Sequence, residues 1–256
     1  MDVRIEREHD VDYWEEVIII YNAALKQINM KLDTLNEEFK QMHKYTPIEH
    51  IKSRIKTSES IVKKLKRYGY ESTISNMINC VNDIAGIRII CSFTSDIIQI
   101  ADMISRQADI RVIGIKDYLN NPKTNGYKSY HMLVSVPVYL SNRIVDTKVE
   151  IQIRTVAMDF WASLEHKIHY KFEGNAPAHI EAELIECALM ISELDNKMLS
   201  LNNEILLSLN NDMAAPEESD KDALHANQQH PGAVPTKIPA SAQGGSPDSP
   251  ALPAMT

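Results

Sequence analysis

Two acidic residues, far apart in the chain, lie on or beside predicted β-strands and could together hold a divalent cation. Apolar and polar residues alternate along one strand, so that Glu150, Gln152 and Arg154 share a face. Asp83 immediately precedes a second segment rich in β-branched residues. Because Mg²⁺ is usually held by a few carboxylates together with substrate phosphate oxygens, Asp83 and Glu150 are candidate metal ligands. The alternative is an edge strand whose polar face is solvated.

A group of basic residues around one short predicted helix could bind a polyphosphate. The pattern of apolar residues predicts a helix over 58–67, ended by Gly69. Cations clustered with few intervening acids repel one another, and a bound polyphosphate would relieve that repulsion. The alternative is the solvated basic face of an amphipathic helix. The candidate phosphate ligands, from the preceding turn and from one stripe of the helix, are Arg54, Lys56, Ser60, Lys64 and Arg67.

A loop that precedes another predicted strand combines basic and aromatic residues. Pro122 and Gly126 interrupt regular structure over 116–131. Cations can contact phosphates while an aromatic ring stacks on a base, so this loop is a candidate nucleotide site. An exposed hairpin loop is the alternative. The candidate residues are Lys116, Lys123, Tyr127, Lys128 and His131.

A predicted helix over 157–170 brings acidic and histidine side chains onto shared faces. Trp161 and Glu165 lie on one face, and Asp159 and His166 lie on another. The order of acids and histidines does not match HExxH, which argues against a zinc site. We expect Trp161 in the core, with Glu165 and His166 in supporting or structural roles.

The elements that must position these residues are predicted from hydrophobic periodicity. The short connection between the last two strands requires an antiparallel pair. We therefore predict an α+β fold: a mixed, mainly antiparallel β-sheet flanked by helices, with long N- and C-terminal helices. The predicted helices cover 12–42, 58–67, 95–107, 157–170 and 177–209. The predicted strands cover 86–93, 110–115, 129–140 and 145–154.

The composition argues against several classes of protein. The chain has 256 residues with 35 acidic and 27 basic side chains, and its net charge of −8 argues against a protein that coats duplex DNA. No apolar run reaches about 18 residues, and the charged N-terminus lacks the apolar centre of a signal peptide, so no membrane association is predicted. Three cysteines without CxxC spacing favour a reducing cytoplasm. Neither GxGxxG nor GxxxxGK(S/T) occurs, so side chains must hold any nucleotide.

The last part of the chain differs sharply in composition from the rest. Residues 213–256 are rich in proline, alanine and serine and almost lack large apolar side chains. Such a segment cannot bury enough apolar surface to offset the entropy lost on ordering. We therefore predict one folded domain over 1–212 and a disordered tail over 213–256.

Taken in order, these segments resemble the synthetase domain of the RelA/SpoT-homologue family, and specifically the small alarmone synthetases, which are stand-alone (p)ppGpp synthetases. The resemblance covers about 13–209 and rests on several separate motifs in register. The motifs are RIK at 54–56, DIAGIR at 83–88, KDY at 116–118, NGYKSYH at 125–131, VEIQIRT at 149–155, FWA at 160–162 and EH at 165–166.

The resemblance implies a nucleotidyltransferase-like fold and a defined reaction. The β,γ-pyrophosphate of ATP would move to the ribose 3′-hydroxyl of GDP or GTP, giving ppGpp or pppGpp, with no hydrolase domain. The implied metal is Mg²⁺, bound by Asp83 and Glu150, with Glu150 also taking the proton of the 3′-hydroxyl. The implied ATP-binding residues are Arg54, Lys56, Ser60, Lys64, Arg67 and Arg88, the two arginines Arg54 and Arg88 stacking on adenine.

The resemblance also implies a site for the acceptor nucleotide. Tyr127 would stack on guanine, while Lys116 and Lys123 contact the acceptor's 5′ phosphates and His131 binds nearby. The residues implied to position donor and acceptor are Gln152, Arg154, Glu165 and His166.

The implied partners are ATP, GDP or GTP, and further copies of this chain. A homotetramer would form through the long terminal helices, burying Leu184, Met190, Leu194 and Leu201. Regulation by pppGpp or single-stranded RNA and the choice between GDP and GTP stay open. Two other functions also stay open: a non-catalytic regulator that binds nucleotides or single-stranded RNA, and a pyrophosphokinase acting on adenine nucleotides or tRNA.

Overall fold

A computed structural model describes residues 2–172 and 176–214, and describes side chains over 14–168, 171–172 and 176–208. The predicted tail lies outside the described residues, except for its first two, which belong to the last helix. The described helices are α1 (Asp2–His43), α2 (Ser58–Arg67), α3 (Ile74–Cys80), α4 (Thr94–Ser105), α5 (Val156–Lys171) and α6 (Ala178–Ala214). The strands are β1 (Ile48–Ile55), β2 (Ala85–Cys91), β3 (Arg111–Asp117), β4 (Tyr130–Tyr139) and β5 (Ile144–Thr155).

The strands form one five-stranded sheet in the order β1-β2-β5-β4-β3. Only β2 and β5 pair in parallel; the other neighbours are antiparallel. The α+β fold with a mixed, mainly antiparallel sheet is therefore confirmed. The connection between β4 and β5 is too short for a crossover, and the two strands are antiparallel, as predicted.

One face of the sheet supplies the hydrophobic core. Val149, Ile151 and Ile153 of β5 are fully buried, which confirms the alternation read from the sequence. They share one cluster with apolar side chains of α1, including Ile28 and Leu32, and with isoleucines of α4. The polar residues between them, which face the opposite way, are therefore free to form a site on the other face. In the part of the chain that the structure describes, no helix is long and apolar enough to cross a membrane.

Two elements were missed by the sequence analysis. The residues Arg54 and Lys56 were expected in a turn, but Arg54 lies on β1, an edge strand with an irregularity between Ile48 and His50. Apolar residues in β1 follow steps of three and four, which conceal the period of two. The short α3 was also missed, because only Met77 of its seven residues is fully buried and so gives no periodic signal.

Candidate active site

The register of the sheet assembles the polar face from all five strands. Residues directly opposite one another on neighbouring strands point to the same face. Distant segments thereby contribute neighbouring side chains. One row across the sheet consists of Lys52, Arg88, Gln152, His131 and Lys116. The next row contains Arg54, Gly86 and Glu150.

A cavity of about 320 Å³ lies over these rows. Gly86 lines it, and a Cβ atom at this position would lie in ordinary contact with Arg54, 3.8 Å from Cγ and 3.9 Å from Nε. The two predicted metal ligands, Asp83 and Glu150, both contribute to its wall. The lining residues are Lys52, Ser53, Arg54, Asp83, Gly86, Ile87, Arg88, Glu150 and Gln152.

Asp83 lies between two lysines. Lys56 Nζ is 2.8 Å from Oδ2 of Asp83, and Lys64 Nζ is 2.7 Å from Oδ1. Burial alone would raise the pKa of Asp83, but hydrogen bonds and charges from the two lysines outweigh it and hold that pKa below its usual value. The carboxylate is therefore ionised at neutral pH.

A second cavity of about 340 Å³ adjoins Asp83 on the α2 side. The helix begins after Thr57, whose hydroxyl accepts a hydrogen bond from the Ser60 amide. This cap fixes the first turn, and the basic stripe of α2 then lines the cavity as predicted. The lining residues are Lys56, Ser60, Lys63, Lys64, Arg67 and Asp83. Because Asp83 lines both cavities, it lies where the two cavities adjoin.

Both oxygens of Glu150 are held by neighbours. Gln152 Nε2 donates to Oε2 at 2.9 Å, and His131 Nδ1 lies 3.5 Å from Oε1. Burial would raise the pKa of Glu150, but the hydrogen bonds from His131 and Gln152 lower it further than burial raises it. The charge of Asp83 acts in the raising direction, which is consistent with both carboxylates facing one cavity. Glu150 is therefore also ionised at neutral pH.

The carboxylate pair suits a hard cation such as Mg²⁺. Among the described residues, no group of three or more His, Cys, Asp or Glu side chains could hold a metal by itself. Mg²⁺ commonly takes only one or two carboxylates and fills its other positions with water and substrate phosphate oxygens. Asp83 and Glu150 fit that pattern.

Arg154 links Glu150 to the predicted acceptor loop. Its side chain is buried, with Nη2 donating to Gln152 Oε1 at 3.0 Å and to the Tyr127 hydroxyl at 2.5 Å. The Tyr127 hydroxyl lies 2.8 Å from His131 Nε2. With Tyr127 donating to Nε2, the Nδ1 proton of His131 faces Glu150. Two hydrogen-bonded paths, through Gln152 and through Tyr127 and His131, thus lead from one guanidinium to the two oxygens of Glu150.

Asp159 was not predicted as a site residue, but its carboxylate forms ion pairs with both Arg88 and Arg154. Its Oδ1 lies 3.1 Å from Nη1 of Arg88 and 3.1 Å from Nη1 of Arg154. The place of Asp159 in the first turn of α5, directly after the strand of Arg154, is the signal that could have identified it. Arg88 Nε is buried and has no acceptor among the described residues.

The predicted acceptor residues are brought together only in part. The Tyr127 ring forms T-shaped pairs with the rings of His131 and Tyr118, with centroids 5.9 Å apart in each pair, and Lys123 Nζ lies 4.6 Å from the Tyr127 ring centroid. Lys116 is exposed on the outer strand β3, in register with His131. Tyr118 was not among the predicted site residues, although it lies within the predicted loop over 116–131.

Two of the predicted positioning residues lie away from the carboxylate cavity. Glu165 Oε1 accepts a hydrogen bond from Asn125 Nδ2 at 3.0 Å, within the loop region. His166 is exposed on α5. A third cavity, of about 460 Å³, is lined by Lys123, Thr124, Asn125, Glu165, Glu181, Leu184 and Ile185.

Two ionised carboxylates in one cavity of an α+β sheet, beside a second cavity lined with basic side chains, form the kind of site that phosphoryl-transfer proteins use. Comparison with known proteins identifies the family. The family model for the region found in RelA / SpoT proteins matches residues 53–175. The GTP pyrophosphokinase YwaC of Bacillus subtilis is 44% identical over 209 residues, covering 80% of this chain and 100% of the relative. YjbM, another GTP pyrophosphokinase of that organism, is 34% identical over 196 residues, covering 77% and 92%.

Solved structures agree with the sequence matches. The crystal structure of small alarmone synthetase 2 from Bacillus subtilis superposes with a TM-score of 0.69 at 44% identity, covering 75% of this chain and 98% of that chain. Small alarmone synthetase 1 from Bacillus subtilis, bound to its product pppGpp, gives a TM-score of 0.70 at 33% identity, covering 75% and 98%. This chain belongs to the RelA/SpoT synthetase family, in the group of small alarmone synthetases. The resemblance drawn from the motifs is confirmed.

Proposed function

We propose that this protein transfers the β,γ-pyrophosphate of ATP to the ribose 3′-hydroxyl of GDP or GTP, producing ppGpp or pppGpp. One observation carries the proposal: Asp83 and Glu150, both ionised, line a single cavity that adjoins a lysine-rich cavity. Pyrophosphoryl transfer needs charge neutralisation and alignment more than covalent catalysis, and a site of this kind supplies both.

The donor nucleotide would occupy the two cavities joined at Asp83. Arg54 and Arg88 both line the first cavity, and planar guanidinium groups can stack on adenine as lysine cannot. The side chains of Lys56, Ser60, Lys64 and Arg67 would hold the ATP phosphates. As phosphate oxygens arrive, the two lysines would exchange their contacts with Asp83 for contacts with the polyphosphate.

Glu150 would act on the acceptor hydroxyl. Because its pKa is lowered, Glu150 is ionised and can accept the 3′-hydroxyl proton, while Gln152 and His131 hold its two oxygens in place. Mg²⁺ bound by Asp83 and Glu150 would neutralise charge on the transferred group. Arg154 would set the position of both Gln152 and Tyr127.

The acceptor would lie over Tyr127. Its ring would stack on guanine, and Lys123 and Lys116 would contact the 5′ phosphates, with His131 nearby. Glu165 supports the loop through Asn125, and His166 lies on the same helix as Glu165. These roles rest on the family resemblance together with the contacts described above.

The decisive experiment incubates the protein with labelled ATP, Mg²⁺ and GDP or GTP and resolves the products by chromatography. Formation of ppGpp or pppGpp, with AMP as the second product, supports the proposal. Product formed with an adenine nucleotide or tRNA, and not with GDP or GTP, would instead identify a pyrophosphokinase for another acceptor. Nucleotide binding without any product would identify a regulator.

We also propose that the protein assembles as a homo-oligomer, a tetramer, in the cytoplasm. On α6, apolar side chains are exposed, with Leu189 61% and Leu194 53% accessible. Exposed apolar rows of this kind usually mark an interface. Leu184, which was also expected in the interface, packs instead beside Trp161. Regulation by pppGpp or single-stranded RNA stays an expectation from the family resemblance.

A further inference from the structure

The loop that carries Tyr127 is seated directly on α6. Gly126 has a φ of +88°, and a Cβ atom built on it would lie 2.6 Å from the Cβ of Ala188. The same atom would lie 3.7 Å from Ile185 Cα and 3.9 Å from Trp161 Cζ2. Only glycine tolerates both this backbone conformation and this approach, so Gly126 and Ala188 form a close contact between loop and helix.

A small hydrophobic cluster surrounds this contact. Trp161 and Ala188 are buried at its centre, and Tyr127 and Leu184 pack against it. Trp161 Nε1 donates to the Leu184 carbonyl at 2.9 Å, which fixes α5 to α6 in this region. The cluster is separate from the main core, so the position of the acceptor loop depends on α6 and not on the sheet alone.

A second contact from α6 is made at the junction between β5 and α5. Asp195 lies two helical turns beyond Ala188 and is buried. Thr155 Oγ1 donates to Asp195 Oδ2 at 2.7 Å and accepts a hydrogen bond from the Met158 amide at 3.1 Å. Asp195 thus holds the first turn of α5, which carries Asp159.

We propose that Ala188 is a positioning residue for the acceptor nucleotide. Its methyl group, packed against Gly126, sets the place of the Tyr127 ring relative to Arg154 and His131. A larger side chain at 188 would push the loop outwards and move the ring, while the two donor cavities on β1, β2 and α2 would not change. The inference rests on the proposed function, since it assumes that Tyr127 stacks on the acceptor base.

The test compares Ala188→Leu with Ala182→Leu, which makes the same change at an exposed position of α6. We expect Ala188→Leu to raise the KM for GDP and GTP about tenfold, since overpacking a tight contact displaces its partner. The KM for ATP should change by less than about twofold, and Ala182→Leu should leave both values as in the wild type. An unchanged acceptor KM, or an equal rise in both KM values, would overturn the inference.

A smaller substitution and a direct binding measurement cover the case in which Ala188→Leu does not fold. Ala188→Val should give the same selective rise to a smaller extent. In a Trp14→Phe background, the emission of Trp161 should change on addition of GDP, and the GDP affinity measured in this way should fall in the Ala188 variants but not in Ala182→Leu.

The same measurement separates the two proposals. A wild-type protein that makes no alarmone contradicts the proposed function. Comparing its GDP affinity with that of the Ala188 variants would still test the positioning role of Ala188. A wild-type protein whose Trp161 emission does not respond to GDP, or variants with wild-type GDP affinity, would remove Ala188 from acceptor positioning.

Discussion

At the scale of single residues, the two carboxylates Glu150 and Asp83 differ in their hydrogen-bond and ion-pair partners. Asp83 is neutralised by two lysines, whereas Glu150 is held by an amide and an imidazole. A residue that must take a proton gains from weak, directional partners, because strong cationic partners would lower its basicity further. These surroundings agree with the roles proposed above, in which both carboxylates hold Mg²⁺ and Glu150 also accepts the hydroxyl proton.

Replacing Glu150 by glutamine tests its role as a base. Glu150→Gln keeps the shape of the side chain but removes its charge, and we expect kcat to fall about 10³-fold with ATP affinity nearly unchanged. Product formation and equilibrium ATP binding measure the two effects. Asp146→Asn, the same kind of change on β5 at an exposed site, serves as the control. Substantial turnover by Glu150→Gln would show that another group accepts the proton.

The charge cluster at Asp83 should appear in the pH dependence of stability. Because the folded-state pKa of Asp83 lies below its ordinary value of 3.8, its stabilising effect is present above that value and is lost as the pH falls through the lower folded-state pKa. Asp83→Asn should lower the free energy of unfolding by about 1–2 kcal/mol at neutral pH. Urea unfolding should show the wild type and the variant converging in acid. A difference that stays constant down to low pH would contradict this account.

At the scale of elements, β1 and β5 lie far apart in the chain, yet both pair with β2 at Gly86. Parallel pairing of β2 with β5 puts Gly86 beside Glu150, and antiparallel pairing with β1 puts it beside Arg54. Arg54, Gly86 and Glu150 consequently line one cavity, although they come from three strands. Strand pairing, and not the local sequence, therefore creates this cavity.

Filling this position should selectively weaken ATP binding. Gly86→Val suits a β-strand, but its side chain would occupy the cavity beside Arg54. We expect the KM for ATP to rise about tenfold, with a smaller effect on the KM for GDP. Gly114→Val, on β3 with nothing within 4 Å of its added Cβ, is the matched control for steady-state kinetics. Equal effects of the two substitutions would place the adenine elsewhere.

At the scale of the whole molecule, α6 has two different faces. One face, through Ala188 and Asp195, packs on the loop that carries Tyr127 and on the end of β5. The other exposes leucine and methionine side chains that a lone chain leaves in water. An assembly that covers this second face would therefore also stiffen the helix on which the acceptor loop rests.

Charging the exposed face should dissociate the assembly. Leu194→Glu places a charge where an apolar contact is expected, and we expect the dissociation constant to rise at least about tenfold. Asn203→Glu, at another exposed position of α6, controls for added charge. Light scattering coupled to size-exclusion chromatography measures the mass of each species. A wild-type protein that is a monomer at all concentrations would contradict the oligomer.

The sequence by itself determined the features that depend on neighbours along the chain. The basic stripe of α2, the alternation around Glu150 and the short link between β4 and β5 follow from local spacing, and the family motifs lie within such segments. The edge strand β1 was not predicted because the residues of an exposed strand need not alternate between apolar and polar.

Tertiary structure alone decided the contacts between distant segments. Asp83 between Lys56 and Lys64, Asp159 between Arg88 and Arg154, and Gly126 against Ala188 all join residues whose proximity depends on strand register and helix packing. Local spacing carries no record of those distances, since the same segments could pair in another order. Long-range packing sets the order and register in which the apolar side chains are buried, and the polar site forms on the other face of the sheet.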